Sequence, residues 1–226
     1  MTIPFYVPPE QFVKDKAEFA RKGIARGKSI VAVVCEEGIV ILAENPSGTL
    51  HKISEIYDRV AFAGVGKYNE FEALRVAGVR NADVKGYLYG RADVTGKSLA
   101  SAFSQTLGNI FTHELKPYEV EILVVEAGDS RVEDSLFKVA YDGTLYDEDN
   151  FVAIGGQAEA LVESLGASYR NKGDWQSALR LGADAFQQTT ENELEGWEAA
   201  LLDRSISRRA FRRLTAEEVD GALASE

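Results

Sequence analysis

Residues 27–43 read GKSIVAVVCEEGIVILA, and this stretch is the most informative one about the architecture. It contains two apolar runs, rich in Val and Ile, on either side of a tight turn that we predict at Glu36, Glu37 and Gly38. Strands that are apolar on both faces belong in the middle of a sheet that is covered on both sides. The stretch therefore predicts two central strands of a doubly covered sheet.

The rest of the chain predicts strands and helices in alternating groups. Pro8 and Pro9 predict a helix from about Glu10 to Arg26, because the fixed φ of proline suits a first helical turn. A capping box at 215–218 predicts a terminal helix. Between these helices the order is strands, two helices, strands, two helices, strands. The strands are expected near 52–56, 60–63, 120–127, 136–141, 144–146, 151–154, 199–202 and 209–214, with a hairpin turn at Asp142 and Gly143.

This order predicts an α+β fold, a four-layer αββα sandwich with an added N-terminal helix. Two sheets would pack face to face with a helix pair on each outer side, which explains the unbroken apolar runs. Because no low-complexity linker interrupts the pattern, we expect one domain over residues 9–226. Its first helix is expected at 9–26 and its last at 215–226, after a short segment at 1–8.

Composition and charge narrow the class of protein. The chain has 226 residues, of which 45% are hydrophobic, and this suffices for one large domain with a full core. A net charge of −11 argues against sequence-independent binding of nucleic acid, which depends on Lys and Arg. The lone Cys35 lies in an apolar run and is expected in the core. With no basic N-terminal region and no apolar run of ~20 residues, we expect a cytoplasmic protein without a membrane span.

Two other kinds of site receive little support from the motifs. Gly-Lys-Ser occurs at 27–29 and 96–98, but a phosphate loop needs a glycine five positions earlier, where Lys22 and Arg91 stand. His51 and His113 have no partner at metal-ligand spacing, so we expect no metal site. The alternating pattern around Phe211 predicts a strand in which the arginines at 208, 209, 212 and 213 are solvated or interface charges.

Several longer segments resemble one known family. They are FARKGIARG at 19–27, AENPS at 43–47, GKYNEF at 66–71, KPYEVE at 116–121 and RRAFRR at 208–213. Together with similar segments between them, they resemble the α-type subunits of actinobacterial 20S proteasomes over roughly residues 10–214. These subunits have the N-terminal-nucleophile hydrolase fold. One departure is that Tyr-Asp-Arg, the N-terminal gate signature of archaeal and eukaryotic α subunits, here lies between two strands at 57–59.

The resemblance implies a non-catalytic subunit of a self-compartmentalised protease that needs no cofactor. Seven copies would form a ring stacked on a ring of β subunits, in a particle of fourteen α and fourteen β subunits. The β subunits would supply threonine nucleophiles. The helix at 9–26, with Phe12 and Phe19 on its apolar face, would make ring contacts. The preceding segment would gate substrate entry at the ring axis through Thr2, Ile3, Pro4, Phe5, Tyr6 and Val7.

The resemblance also implies a docking site. Lys52 matches the pocket lysine of α subunits, which receives the C-terminal tail of a ring-shaped ATPase or an ATP-independent activator, and Gly27 matches a pocket glycine. An ammonium group and a terminal carboxylate form a charge-assisted bond, and exposed amides of the Gly27 turn would lie nearby. Lys67 departs from the apolar residue of more distant relatives. A second cation there would strengthen carboxylate capture and weaken apolar contacts with the tail.

Two alternatives stay open from the residues alone. The first is an active, self-processing N-terminal-nucleophile amidohydrolase. Ser29 would be its nucleophile and Glu44 would lie near the acidic catalytic residue. That chemistry uses a free α-amine as base, whereas 28 residues precede Ser29. Thr2 and Cys35 are poorer candidates, because neither would head a core strand. The second alternative is a module that binds anions or nucleotides.

Overall fold

The computed structural model describes residues 8–170, 173–190 and 194–224. Its elements in chain order are α1 (Pro9–Ala25), β1 (Ile30–Val34), β2 (Gly38–Glu44), β3 (Ile53–Tyr57), β4 (Val60–Gly66), α2 (Tyr68–Leu88), α3 (Gly96–His113), β5 (Val120–Glu126), β6 (Ser135–Val139), β7 (Leu145–Glu148), β8 (Phe151–Ile154), α4 (Ala158–Ser168), α5 (Trp175–Thr189), β9 (Trp197–Asp203), β10 (Phe211–Arg213) and α6 (Ala216–Ala224). Short 3-10 helices lie at Arg91–Asp93 and Arg131–Glu133.

The strands form two antiparallel five-stranded sheets with different connectivity. The first sheet has the order β10-β9-β2-β1-β8 and draws its strands from both ends of the chain. Its centre is the predicted hairpin, in which Ile30 pairs with Ala43 and Val34 with Ile39. The second sheet has the order β3-β4-β5-β6-β7, so each strand pairs with the next one along the chain.

The side chains pack into three apolar layers. Alternate residues of β2 show how the layers form: Ile39 and Ile41 lie between the two sheets, whereas Val40 and Leu42 lie on the outer face. That outer face packs against α4, α5 and α6, and the outer face of the second sheet packs against α2 and α3. All seven residues of β2 are consequently buried. This arrangement confirms the predicted αββα sandwich.

Glycine closes two turns that the sequence predicts. Gly38 has a φ of +152°, and a Cβ built on it would lie 1.7 Å from the carbonyl oxygen of Leu202. Any side chain at this position would therefore separate β2 from the end of β9. At the second turn, Gly143 has a φ of +86°, and the amide of Ala140 donates to the carbonyl oxygen of Thr144. That turn ends β6 at Val139, two residues earlier than expected.

The first helix lies across one end of the sandwich. Pro8 is its N-cap and the helix ends at Ala25, close to the predicted bounds. Ala20 and Ile24 belong to the apolar layer between the sheets, so α1 seals that layer. Lys16 is also buried, and its Nζ donates to the carbonyl oxygens of Phe111 and Glu114.

The chain ends described by the structure agree with the predicted elements, with one shortened strand. The hydroxyl of Thr215 accepts from the amide of Glu218 while the Glu218 carboxylate accepts from the amide of Thr215, which is the predicted capping box. Strand β10 begins only at Phe211, because Arg209 has a φ of +54° and turns the chain before the ladder. None of the helices in the described ranges combines the length and apolarity needed to cross a bilayer.

Candidate docking site

Lys52 lies immediately before β3, and its side chain bends back across the end of the first sheet. Its Nζ donates to the carbonyl oxygens of Lys28 and Glu44, each at 3.0 Å. Lys28 precedes β1 and Glu44 ends β2, so the ammonium group bridges the two central strands at the end of the sandwich that carries α1. The lysine is therefore held in place rather than freely solvated.

Burial is the main influence on the charge of Lys52. Removal from water lowers the pKa of the ammonium group to about 8, and the negative charges of Glu198 and Glu44 offset part of this effect. Lys28 acts in the same direction as burial, because a second positive charge disfavours protonation. Lys52 is therefore mostly charged at pH 7 but loses its charge at mildly alkaline pH.

Glu44 forms an ion pair with Lys28. The Lys28 Nζ lies 2.7 Å from the Glu44 Oε1, and only 4% of the Glu44 side chain is exposed. The hydrogen bond to Glu44 raises the pKa of Lys28. Glu44 thus contacts two lysines. Its carboxylate pairs with Lys28, on the chain segment that leads into β1, and its main-chain carbonyl oxygen accepts from Lys52.

Gly27 connects this cluster to Lys67. A Cβ built on Gly27 would lie 2.6 Å from Val65 Cγ1 and 3.0 Å from the amide nitrogen of Gly66, next to Lys67. Only a residue without a side chain allows the turn to lie this close to β4. The structure thus brings all three predicted docking residues to the same end of the sandwich. One expectation is wrong: the Gly27 amide is not an exposed donor, because it donates to the carbonyl oxygen of Ile24.

Lys67 itself is half exposed and occupies the N-cap position of α2, where its side chain makes no capping hydrogen bond. Its Nζ lies 4.0 Å from Oε1 of Glu70. The Glu70 carboxylate is nearly buried and also pairs with Lys116 at 2.7 Å. Lys67 is therefore the weaker of two cations around Glu70 and remains available to a second anion.

Ser29 is not arranged as a nucleophile. Its side chain is buried, and its hydroxyl oxygen accepts from the amide of Gln157 at 3.2 Å. A Cβ built on Gly155 would lie 2.9 Å from the Ser29 hydroxyl oxygen, so the backbone closes over it. Cys35 is buried as predicted, and burial raises the pKa of its thiol to about 12. Lys28, rather than Ser29, contacts the buried carboxylate of Glu44, and a lysine has no hydroxyl group to act as a nucleophile.

The predicted ring-contact residues lie on the outside of α1. Phe12 and Phe19 are 41% and 46% exposed, while Ala20 and Ile24 turn inward. Lys16 lies over the ring of Phe12 and Lys116 lies over the ring of Phe19. The predicted gate residues Thr2, Ile3, Pro4, Phe5, Tyr6 and Val7 lie outside the described residues.

The remaining motifs serve the fold. Gly96 begins α3, and its amide donates to Oε2 of Glu126 at 2.7 Å, so a carboxylate of the chain already uses this amide. The four arginines were expected to be solvated or interface charges, but Arg213 instead pairs with the buried Glu198 of its own chain. Within the described part of the chain, no cluster of three or more His, Cys, Asp and Glu side chains is placed to hold a metal ion.

Sequence reasoning missed two residues of this site. Glu198 lies far from Lys52 in the chain, and no local motif marks it. Lys28 stands out in the sequence only as part of a Gly-Lys-Ser triplet, although its position two residues before the first strand is a usable signal.

Comparison with known proteins places the chain in a family. The family described as "Proteasome subunit" matches residues 24–202. A relative from Acidimicrobium ferrooxidans, named "Proteasome subunit alpha", is 52% identical over 227 residues, covering 100% of this chain and 98% of the relative. Proteins of the same name from Arthrobacter sp. (strain FB24) and Parafrankia sp. (strain EAN1pec) are 50% and 51% identical, covering 100% and 99% of this chain and 100% and 97% of the relatives. With half of its residues shared over nearly its whole length and with the two-sheet sandwich described above, this chain belongs to the proteasome subunit family.

Proposed function

We propose that this chain is the non-catalytic α-type subunit of a 20S proteasome core particle and acts in cytoplasmic protein degradation. Seven copies form the outer ring and stack on a ring of β subunits. The observation that carries this proposal is the identity of about one half, over the full chain, to proteins named "Proteasome subunit alpha". Closed rings of this kind arise from heterologous contacts between identical subunits.

The geometry around Ser29 supports a non-catalytic role. An N-terminal nucleophile needs a hydroxyl or thiol beside its own free amine. Ser29 instead follows Lys28 in the chain, and its hydroxyl oxygen accepts a hydrogen bond from the amide of Gln157. Lys28, rather than Ser29, pairs with Glu44. Proteolysis therefore requires β subunits.

The outer face of α1 supports a role in ring contacts. Phe12 and Phe19 are large and apolar and lie on the same side of the helix, one heptad apart, with close to half of each side chain exposed. Burying both against a neighbouring subunit removes apolar area from water, which favours association. Residues 1–7, which precede this helix in the sequence, gate substrate entry in this proposal.

The cluster around Lys52 supports docking of a regulatory partner. Lys52 and Lys67 present two cations at the end of the sandwich that carries α1, with Gly27 between them. A free C-terminal carboxylate suits such a pair, because a charge-assisted hydrogen bond is stronger than a neutral one. The partner is a ring-shaped ATPase or an ATP-independent activator whose tails bind between neighbouring α subunits.

The test is to purify the chain with and without its β partner. We expect no peptidase activity from the chain alone, and a large assembly with peptidase activity after the β subunit is added. The proposal fails if the purified chain alone hydrolyses a fluorogenic peptide and Ser29→Ala abolishes that activity. Intact mass provides an independent measurement, since a new N-terminus at Ser29 would indicate a self-processing hydrolase.

The gate is tested separately on the assembled particle. Deleting residues 2–7 is expected to accelerate peptide hydrolysis without preventing assembly, because terminal segments contribute few buried contacts. Equal basal rates for full-length and truncated particles would contradict gating by this segment.

A further inference from the structure

A buried carboxylate on β9 holds the chain on which Lys52 lies. Only 6% of the Glu198 side chain is exposed. Its Oε2 accepts from the main-chain amide of Lys52 at 2.9 Å, and its Oε1 accepts from the amide of Ile53 at 3.2 Å. Two consecutive amides at the start of β3 are thus bound by one side chain of the other sheet.

Three further side chains surround the same carboxylate. Asn45 donates its Nδ2 to Glu198 Oε2 at 2.7 Å, Arg213 Nη1 contacts Oε1, and His51 Nδ1 lies 3.4 Å from Oε1. Arg213 also donates to the carbonyl oxygen of Ile53 at 2.7 Å. Two sheet elements and one loop therefore meet at Glu198, which gives the segment at 51–53 a single position.

We propose that Glu198 is a positioning residue for Lys52: it fixes the main chain of this lysine and keeps its ammonium group charged and directed toward Lys28 and Glu44. The inference rests on the proposed docking function, because it concerns the cation that captures the carboxylate. With its main chain held by Glu198 and its Nζ held by two carbonyl oxygens, Lys52 has little freedom left to lose when a partner binds. Such preorganisation strengthens binding.

The charges around Lys52 support the electrostatic half of the proposal. The groups that act on it are Glu44 at the end of β2, Lys28 before β1 and Glu198 on β9. Two groups act on Glu198 in turn, namely Arg213 on β10 and His51 in the loop before β3. Glu198 and Glu44 favour the charged lysine, while burial and Lys28 oppose it. Burial lowers the pKa of Lys52, and the negative charge of Glu198 offsets part of this effect. If that charge is removed, Lys52 loses its proton at a lower pH.

The test measures Lys52 directly in the assembled particle. Only the neutral amine reacts with trace acetic anhydride, so the labelling rate of Lys52, followed by mass spectrometry across pH 6–11, gives its titration midpoint. We expect a wild-type midpoint of about 8. Glu198→Gln should lower it by about half a pH unit or more, because the loss of a nearby opposite charge disfavours the ammonium form. The plateau rate at high pH should also rise, since the lysine is no longer held in one position.

Two further variants make the result specific. Arg213→Gln removes the cation that competes for Glu198 and should raise the midpoint, a shift opposite in sign that a merely structural role would not produce. Glu55→Gln, a change of the same chemistry on β3 where Glu55 pairs with the exposed Arg209, should leave the midpoint unchanged. If Glu198→Gln prevents assembly, the Lys52 midpoint measured in Arg213→Gln alone tests the proposal.

Unchanged midpoints in both Glu198→Gln and Arg213→Gln would overturn the proposal. Activator binding plays no part in this measurement, so the result is independent of the docking function. If a Lys52→Ala particle degrades protein with its activator like the wild type, the docking role fails and the coupling between Glu198 and Lys52 stands.

Discussion

Arg204 and Asp134 form a largely buried ion pair at the end of the sandwich opposite α1, and replacing Arg204 by Met tests how much this pair stabilises the fold. The guanidinium group contacts both carboxylate oxygens of Asp134 at 2.9 Å. It also donates to the carbonyl oxygens of Glu36 at 2.8 Å and Cys35 at 3.0 Å, beside the turn between β1 and β2. One side chain therefore joins the first sheet to the loop that precedes β6 of the second.

The expected magnitude follows from burial. The Asp134 side chain is only 2% exposed, and it also accepts from the amide of Gly128 at 2.9 Å. Removing one partner of such a buried pair leaves an uncompensated charge and costs about 3–5 kcal/mol in the free energy of unfolding. For a chain of this length, 1 kcal/mol corresponds to about 2–4 °C in Tm. Arg204→Met should therefore lower Tm by about 6–20 °C.

The assay is thermal unfolding followed by circular dichroism, at one protein concentration and with assembly state checked by gel filtration, because association raises Tm. Arg209→Met is the matched control: Arg209 also pairs with a carboxylate, that of Glu55 at 3.3 Å, but its side chain is 81% exposed. Such a pair contributes about 1 kcal/mol or less. The double variant Arg204→Met with Asp134→Asn should recover part of the loss, since no buried charge remains unpaired. A Tm loss for Arg204→Met no larger than that of Arg209→Met would refute the reasoning.

Two other predictions concern the ring and the docking site. Phe19→Asp should weaken assembly more than folding, because a charge on a face that becomes buried is costly. Gel filtration should show free subunits for Phe19→Asp, whereas Lys14→Asp, on the face of α1 turned away from the two phenylalanines, should assemble normally. Full-size Phe19→Asp particles would exclude this contact. Docking of the activator should weaken about tenfold per tail between pH 7 and 9, since the pKa of Lys52 lies at about 8 and only the charged form, present below that pH, binds a carboxylate. Lys52→Arg should remove this pH dependence, because a guanidinium group stays charged over this range. If docking of the activator to the wild type does not change between pH 7 and 9, the role of Lys52 is contradicted.

The sequence predicted the layers of the fold well because burial on both faces of a strand is visible in composition. Strands β1 and β2 are apolar at successive positions, and no other environment suits them. The periodicity of α1 predicted a helix with an apolar stripe, but not that Ala20 and Ile24 would seal the core while Phe12 and Phe19 stay outside. That division depends on where α1 crosses the sandwich.

The candidate docking site was predictable only in part. The resemblance implied one site for Lys52, Gly27 and Lys67, and the three residues lie at the same end of the sandwich. Local pattern could not reveal that Glu198 binds the amide of Lys52, because the contact joins residues separated by 146 positions. Nor could it predict that the Gly27 amide donates to the carbonyl oxygen of Ile24, because this hydrogen bond depends on how α1 ends.

The order of strands in the two sheets has a consequence for biosynthesis. The second sheet can complete as soon as residue 148 has left the ribosome, because its strands pair in chain order. The hairpin of β1 and β2 is made first, yet β2 must wait for β9, which begins at Trp197. Until then an apolar strand edge stays open, and such edges invite pairing with other chains. A nascent or prematurely terminated chain that lacks β9 is therefore prone to aggregation, because the edge of β2 is paired only after β9 has been made.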